Sequence, residues 1–422
     1  MIMMQLPKEF EETTKALMGE ELYNTLLRGL GSEPPVSIRL NPFKPSADLF
    51  IGCGEEEKGI SMKPVPWAKD GYYLSERPSF TLDPLFHAGA YYVQEASSMF
   101  VNFIIRQLVT SPVTMLDLCA APGGKTICAR TALPEGSILY SNEPNRTRAN
   151  ILAENVIKFG HPDIVVTNNY AKDYSKAGIN FDVILTDVPC SGEGMFRKDP
   201  NAINEWSPDN VEACWRLQRS IVEDIWPCLK PGGILIYSTC TFNAKEDEDN
   251  VQWIVDNLGA EPITIKNIDE KWNITSALKG SLPVYRFIPG RTTGEGLFIA
   301  VLRKNDDSAQ TVQRKRKPEQ ILHILSHGIN SPTIKGKKTI PDISLALSAD
   351  QEANNYPSVE VDYNTAINYL RREAIVLPSE TPRGIVTIKY KGLGLGFANN
   401  LGNRANNLYP QEWRIKTTHV KK

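Results

Sequence analysis

The sequence has few of the features that place a protein in a membrane or outside the cell. No apolar stretch of this 422-residue chain approaches the ~18 residues that a membrane-spanning helix needs. The first 21 residues are acidic and lack an apolar core, which argues against a secretory signal peptide. We therefore expect a cytoplasmic protein with no membrane partner.

Cysteine and histidine are also scarce, with seven Cys, five His and no CxxC motif. An odd number of cysteines in a long chain argues against a disulfide framework, and without CxxC no zinc pattern stands out, so we expect no metal. Most of the cysteines are expected to be buried packing residues. These are Cys53, Cys128, Cys214 and Cys228.

The composition is that of a globular protein able to bury a sizeable core. The hydrophobic fraction is 41% and the charged fraction 23%, which excludes a disordered chain. At about 100–200 residues per domain, the length predicts two to four domains. The formal net charge of -2 says little about partners.

The pattern along the chain divides it into five parts. Residues 1–90 predict a small α+β domain. Residues 91–305 alternate strands with helices, which predicts a mostly parallel sheet. Residues 306–318 are polar and charged, as in a linker. Residues 319–382 form a small connecting domain with one predicted helix, and residues 383–422 a compact β-rich unit.

The last of these parts is basic. From residue 383 onward it has eight Lys and Arg against one acid, Glu412. The basic residues are at 383, 389, 391, 404, 414, 416, 421 and 422. Composition alone leaves two interpretations open, a solvated face or a nucleic-acid-binding surface.

A loop rich in small residues follows the predicted strand Val113–Leu118. Cys119-Ala120-Ala121-Pro122-Gly123-Gly124-Lys125 leads into a helix, so a ligand can approach its backbone closely. A phosphate-binding loop would have glycine where Cys119 stands, and the GxGxxG of a dinucleotide fold is missing. The loop thus favours a nucleoside cofactor without a phosphate chain. Glu143, which ends the next strand, is expected to bind ribose hydroxyls rather than to be merely solvated.

Two further cysteines follow neighbouring predicted strands. Cys190 comes after Phe181–Thr186, and Cys240 after Ile234–Ser238. The carboxyl ends of parallel strands are the edge where open α/β sheets bind ligands, so the two thiols are expected to converge there. A nucleophilic thiol needs a lowered pKa, which the surroundings must supply. Packing cysteines or a redox pair are the alternatives, although a redox pair usually shows CxxC.

Three motifs carry a resemblance to a known family. The segments CAAPGGKT at 119–126, DVPCSGEGMFRKDP at 187–200 and STCTFNAKEDEDNV at 238–251 are similar to the Nol/Nop/Sun family of RNA (cytosine-5) methyltransferases. The tail from Gly392 to Pro410 resembles the PUA-like ending of the bacterial RsmF-type branch, which methylates small-subunit ribosomal RNA.

The resemblance implies an architecture and a partner. It implies a Rossmann-like class I S-adenosylmethionine methyltransferase domain of the α/β class, preceded by an α+β domain and followed by a PUA-like β-rich domain. The expected partner is ribosomal RNA, in the small subunit or its assembly intermediate, and the expected state is a monomer.

The resemblance also implies a role for each motif residue. The loop Cys119–Lys125 would line S-adenosylmethionine, and Asp187 would lie beside its methionyl part and the target base. Cys240 would be the nucleophile and Cys190 would help to release the product. Pro189 and Lys125 would contact the cytosine.

This sequence departs from the family pattern at two positions. An acid that follows the third strand should hold the adenine, but Thr167-Asn168-Asn169-Tyr170 has no carboxylate, and we expect the amide of Asn169 to substitute. Gly290 stands where a histidine is expected.

Arg197 and Lys198 are candidates for RNA phosphate contacts, with a solvated loop as the alternative.

Two other functions compete with RNA methylation. A ribosomal-RNA-binding assembly factor could keep the fold without turnover, but retention of both cysteines, the loop and Asp187 favours the enzyme. In a DNA cytosine-5 enzyme, the cysteine of the Pro-Cys motif attacks, so Cys190 would be the nucleophile and Cys240 would have no role.

Overall fold

The structure is a computed structural model that describes residues 5–44, 60–305, 317–336, 338–350 and 352–416. Cys53, linker residues 306–316, and Lys421 and Lys422 lie outside these ranges.

The N-terminal unit consists of a long helix and an antiparallel sheet with strand order β2-β3-β1-β4. Because β4 pairs with β1, the expected domain boundary at residue 90 falls inside this sheet. The elements are α1 (Lys8–Leu30), β1 (Val36–Leu40), β2 (Met62–Pro64), β3 (Gly71–Leu74), α2 (Pro84–His87) and β4 (Tyr91–Val93).

The central unit alternates strands and helices along the chain. Its first part contains α3 (Phe100–Leu108), β5 (Thr114–Asp117), α4 (Gly124–Arg130), β6 (Ile138–Asn142), α5 (Arg146–Phe159), β7 (Ile164–Thr167), α6 (Ala171–Ala177) and β8 (Phe181–Asp187). Its second part contains α7 (Pro200–Glu205), α8 (Pro208–Ile225), β9 (Leu229–Thr239), α9 (Glu248–Leu258), β10 (Ala260–Pro262), β11 (Val284–Phe287) and β12 (Leu297–Lys304).

The order of these strands confirms the expected mostly parallel sheet. Strands β9-β8-β5-β6-β7 are neighbours in that order and run parallel. The edges are antiparallel, with β12 on β9 at one side. At the other side β7 pairs with β13 (Ile324–Ser326), which comes after the linker. The stretch 319–382 therefore contributes a strand to the central sheet, which its composition did not indicate.

Alternate residues of each central strand enter one of two cores. Met115 packs on one side of the sheet with residues of α3, α4 and α5. Leu116 packs on the other side with residues of α6, α8 and α9. Helices therefore cover both faces, as a parallel sheet requires, and the ligand-binding edge stays at the strand ends.

The C-terminal unit has a sheet of its own, with strand order β16-β17-β18-β19. Since β16 lies before residue 383 and pairs with β17, the expected unit 383–422 leaves out part of this sheet. The elements are β14 (Thr333–Lys335), β15 (Lys338–Ile340), α10 (Ile343–Ala346), β16 (Ser358–Glu360), α11 (Tyr363–Leu370), β17 (Gly384–Tyr390), β18 (Leu393–Asn400) and β19 (Ala405–Asn407).

The two terminal units share one hydrophobic core. Leu82 and Leu85 of the N-terminal unit cluster with Ile367 and Leu395 of the C-terminal unit. In the part of the chain that the structure describes, no helix is both long and apolar enough to cross a membrane.

Candidate active site

The loop after β5 has the close backbone packing expected of a ligand cradle. Gly123 has φ +115°, a conformation that L side chains rarely adopt, and a Cβ there would lie 3.2 Å from Leu152 Cδ1. A Cβ on Gly124 would lie 3.3 Å from the ring of Tyr92. The backbone conformation of Gly123 therefore favours glycine, and the ring of Tyr92 leaves little room for a side chain at Gly124.

Glu143 lies beside this loop, at the end of β6. Its Oε1 accepts a hydrogen bond from the backbone N–H of Asn145 at 2.9 Å. Arg148 links the carboxylate to the loop, because its Nη2 lies 3.5 Å from Glu143 Oε2 and donates to Ala121 O at 3.0 Å. The side chain is buried and held in one position, which suits the binding of ribose hydroxyls.

Asn169 lies after β7 as expected, but its amide already has partners. Its Oδ1 accepts from the backbone N–H of His323 at 3.0 Å, and its Nδ2 donates to His323 O at 3.3 Å. These bonds fasten the segment that leads into β13. The structure thus shows a structural contact for this side chain, and binding of adenine by Asn169 stays a prediction.

Cys190 and Cys240 meet at the carboxyl ends of β8 and β9. The two strands are adjacent and parallel, with Asp187 opposite Ser238 in the register. The two Sγ atoms are 3.2 Å apart, and the Gly194 N–H donates to Cys240 O at 2.7 Å. Adjacent strand ends therefore bring together thiols that are 50 residues apart in the sequence.

The carboxylate of Asp187 links the strands that lead to the two cysteines with the loop after β5. It accepts from Lys125 Nζ at 2.8 Å and from Ser238 Oγ at 2.8 Å. Burial by itself would lower the pKa of Lys125, but the charges of Asp187 and Cys240 raise it. A permanent positive charge therefore lies within electrostatic range of Cys240.

The three motif thiols differ in their environment. The hydrogen bond to Cys240, with burial, raises the pKa of Cys190 well above its ordinary value, so Cys190 keeps its proton. Burial strongly raises the pKa of Cys119, which makes this thiol a poor nucleophile. Either of the Cys190 and Cys240 thiols can donate the hydrogen bond between them, so the two sulfurs can share one proton.

Pro189 is exposed next to this pair, and its carbonyl accepts from Gln218 Nε2 at 2.9 Å. Arg197, by contrast, is buried and bonds to Glu295 Oε2 at 2.8 Å and to Gly29 O at 2.7 Å. The guanidinium of Arg197 is therefore already paired within the protein, and contact of Arg197 with RNA phosphates stays a prediction. Arg197 fastens α1 to the segment after Cys190.

No group of three or more His, Cys, Asp or Glu that could hold a metal ion occurs among the described residues.

Three family models match the chain over most of its length. The N-terminal domain of 16S rRNA methyltransferase RsmF matches residues 6–96, 16S rRNA methyltransferase RsmB/F matches 109–303, and the RsmF PUA domain matches 356–415. The ribosomal RNA small subunit methyltransferase F of Shewanella loihica is 29% identical, with 89% of this chain and 88% of the relative aligned. The enzyme of the same name from Pectobacterium atrosepticum is 32% identical, with 71% and 63% aligned.

Solved structures show the same fold. A methyltransferase homolog protein from Pyrococcus horikoshii has a TM-score of 0.60 and 28% identity, and the match covers 71% of this chain and 96% of that one. NSun6 from the same organism has a TM-score of 0.61 and 23% identity, covering 72% and 100%.

The fold, the loop and these structures together define a class I methyltransferase of Rossmann-like α/β architecture, with an N-terminal domain and a C-terminal PUA domain. The expected fold class is confirmed. Within that class, the chain belongs to the RsmB/F family of 16S rRNA methyltransferases, and more specifically it carries the N-terminal and PUA domains of the RsmF type.

Proposed function

We propose that this methyltransferase transfers a methyl group from S-adenosylmethionine to C5 of a cytosine in 16S ribosomal RNA. The observation that carries the proposal is the contact of the Cys190 and Cys240 Sγ atoms at 3.2 Å, beside the Lys125–Asp187 pair. Packing cysteines would not need a neighbouring ion pair, and a redox pair would not need a nucleoside cradle.

The cradle suits S-adenosylmethionine. Its loop joins β5 to α4, and Glu143 is held beside this loop for two ribose hydroxyls. Residues 119–125 would line the cofactor, and Asp187 would adjoin its methionyl part. Bound there, the cofactor supplies an electrophilic methyl group.

The protein residues have distinct proposed tasks. C5 of cytosine is a poor nucleophile, so the Cys240 thiolate adds to C6 and makes C5 carbanion-like. Asp187, fixed by Lys125 and Ser238, stabilises this adduct at N3. After methylation a base beside C5 takes the C5 proton, and the electron pair of that C–H bond re-forms the C5–C6 double bond. The Cys240–C6 bond then breaks and Cys240 leaves as a thiolate, with Cys190 assisting the release. Pro189 and Lys125 contact the cytosine.

Ribosomal RNA is the proposed partner. Arg383, Lys391, Arg404, Arg414 and Lys416 are exposed in the C-terminal unit, which matches the RsmF PUA domain. This combination favours the RNA-binding interpretation over a merely solvated face. The substrate would be the small subunit or its assembly intermediate, and the enzyme would act on it as a cytoplasmic monomer.

The two cysteines provide the decisive experiment. Cys240→Ala should abolish turnover and any covalent intermediate. Cys190→Ala should leave methylated RNA bonded to the protein, seen as a shifted band on a denaturing gel with labelled RNA and S-adenosylmethionine. Cys214→Ala, on α8, is the matched control and should behave as the wild type.

Other outcomes identify the competing functions. An adduct in Cys240→Ala but not in Cys190→Ala would make Cys190 the attacking thiol, as in DNA cytosine-5 enzymes. RNA binding without methylation by the wild type would indicate an assembly factor. Turnover retained in both variants without an adduct would remove the thiols from the mechanism.

A further inference from the structure

The loops that carry the two cysteines each contain a buried glutamate. Glu193 follows Cys190 in its loop, and Glu246 follows Cys240 in the other. Glu193 is 1% exposed and Glu246 is fully buried, and the proposed chemistry uses neither. Buried carboxylates are costly unless hydrogen bonds compensate them, so their partners indicate what they do.

Glu193 bonds the loop of the other cysteine. Its Oε2 accepts from the backbone N–H groups of Phe242 at 2.6 Å and Asn243 at 3.1 Å. Its Oε1 accepts from Asn243 Nδ2 at 3.1 Å and from Trp206 Nε1 at 3.0 Å. The carboxylate therefore fixes the main chain two and three residues after Cys240.

Glu246 makes the reverse connection. Its Oε2 accepts from the backbone N–H of Ser191 at 3.0 Å and from Gln218 Nε2 at 2.7 Å. Its Oε1 accepts from Asn243 Nδ2 at 2.8 Å. Burial raises the pKa of Glu246, while these hydrogen bonds act in the opposite direction. This carboxylate fixes the residue that directly follows Cys190.

We propose that Glu193 and Glu246, the crossed carboxylates, are positioning residues that hold Cys190 and Cys240 at contact distance for the methyl-transfer reaction. Each is carried by the loop of one cysteine and bonds the main chain beside the other. The inference rests on the proposed function, in which both thiols act on one cytosine. Strand β9 ends at Thr239, so strand pairing does not hold the loops that carry Cys190 and Cys240. Without the crossed carboxylates these two loops would have fewer contacts to fix their positions.

The loops that carry Cys190 and Cys240 lie close together and have little freedom to move apart. Ser191 Oγ and Thr241 Oγ1 are 3.1 Å apart between the same two loops. A Cβ on Gly194 would lie 2.6 Å from Cys240 O, so the loops approach as closely as a glycine allows. Small shifts in this region would therefore move one sulfur relative to the other.

The test replaces each carboxylate by its amide. Glu193→Gln turns an NH2 donor towards N–H donors, so it must lose its bonds either to the backbone N–H groups of Phe242 and Asn243 or to Asn243 Nδ2 and Trp206 Nε1. Glu246→Gln must likewise lose its bonds either to the Ser191 N–H and Gln218 Nε2 or to Asn243 Nδ2. Each variant should bind S-adenosylmethionine with wild-type affinity, because the cradle lies on another segment. The single-turnover methylation rate should fall on the order of 100-fold at an unchanged KM for RNA. The control, Glu223→Gln, changes an exposed glutamate on α8 and should have no effect.

A second measurement reports sulfur position without relying on activity. In a glutathione redox buffer, the wild type should form the internal Cys190–Cys240 disulfide, identified by peptide mass spectrometry. The amide variants should instead accumulate mixed disulfides with glutathione. An equal fraction of internal disulfide in wild type and variants, or none in the wild type, would overturn the inference.

Failure of this inference can be told apart from failure of the proposed function. Methylation retained in Cys240→Ala would remove Cys240 from the proposed mechanism, and RNA binding without methylation by the wild type would remove the proposed function. In both cases the disulfide measurement would still report the positions of the sulfurs. If an amide variant loses cofactor binding, Thr241→Val replaces it, since it removes one contact between the loops at equal volume. Thr241→Val should shift the disulfide fraction in the same direction, and an unchanged fraction would contradict the proposal.

Discussion

A buried ion-pair cluster behind Cys240 offers a strong test of how the site is held. Arg286 on β11 is 1% exposed. Its Nε donates to Glu248 Oε1 at 2.9 Å, its Nη2 also pairs with Glu248, and its Nη1 lies 3.0 Å from Asp247 Oδ2. The same Nη1 donates to Phe242 O at 3.0 Å, in the loop after Cys240. The perturbation is Arg286→Met, which keeps most of the side-chain volume and removes the charge.

The expected cost follows from what the substitution leaves behind. Asp247 and Glu248 are at most 2% exposed and would lose their cation. Removing one partner of a buried ion pair typically costs about 3–5 kcal/mol, because the remaining charge stays uncompensated. The matched control is Arg216→Met, which removes an i,i+4 pair with Glu212 whose arginine side chain is 72% exposed. That change should cost about 0.3–0.5 kcal/mol.

Equilibrium unfolding in urea measures the free energy of unfolding of both variants. An unchanged slope of this free energy against urea concentration shows that the same part of the protein unfolds. A triple variant, Arg286→Met with Asp247→Asn and Glu248→Gln, should recover part of the loss because no charge remains unpaired. If Arg286→Met costs no more than Arg216→Met, the reasoning from burial is refuted. If the triple variant is less stable than Arg286→Met, unpaired charge is not the cause of the loss.

Three further predictions concern the cofactor, pH and RNA. Gly123→Val and Glu143→Ala should each lower the affinity for S-adenosylmethionine strongly in calorimetry, and unchanged affinity in both would remove the cradle assignment. Burial raises the pKa of Asp117 from 3.8 to about 7, so the folded state keeps its proton to a higher pH than the unfolded state. Stability should therefore fall as pH rises through this range, and Asp117→Asn should flatten the fall in unfolding free energy; an equally steep fall would contradict this origin. Arg404→Ser with Arg414→Ser should weaken RNA binding and reduce the slope of log affinity against log salt by about 1 per lost phosphate contact, whereas an unchanged slope would exclude both residues from the RNA interface.

Local patterns were sufficient to predict the sheet and the meeting of the thiols. Apolar runs indicated β5 to β9, and strands joined by helices pair in parallel with their carboxyl ends at one edge. Cys190 and Cys240 follow two such strands, so their convergence follows from connectivity alone. The same reasoning places the loop after β5 and Glu143 after β6 at that edge.

Contacts between distant segments could not be predicted in this way. Asn169 bonds to His323 across 154 residues, and the partner strand β13 is too short to have a period that a pattern can reveal. Arg197 stands in a polar segment of the sequence, which offered two interpretations, a contact with RNA phosphates or a solvated loop. Its burial depends on Glu295, 98 residues away, and on a carbonyl at the end of α1.

The crossed carboxylates show the same limit within the motifs themselves. Cys190, Cys240 and Asp187 have side chains whose chemistry suggests a task in isolation, so a motif predicts them directly. Glu193 and Glu246 act on backbone N–H groups of another loop, and every residue except proline offers such a donor. No pattern of side chains can therefore identify their partners. A buried glutamate near a cysteine also suggests an acid–base role, but the oxygens of Glu193 and Glu246 already accept hydrogen bonds from main-chain and side-chain N–H groups. Geometry, rather than residue type, distinguishes the groups that react from those that hold them in place.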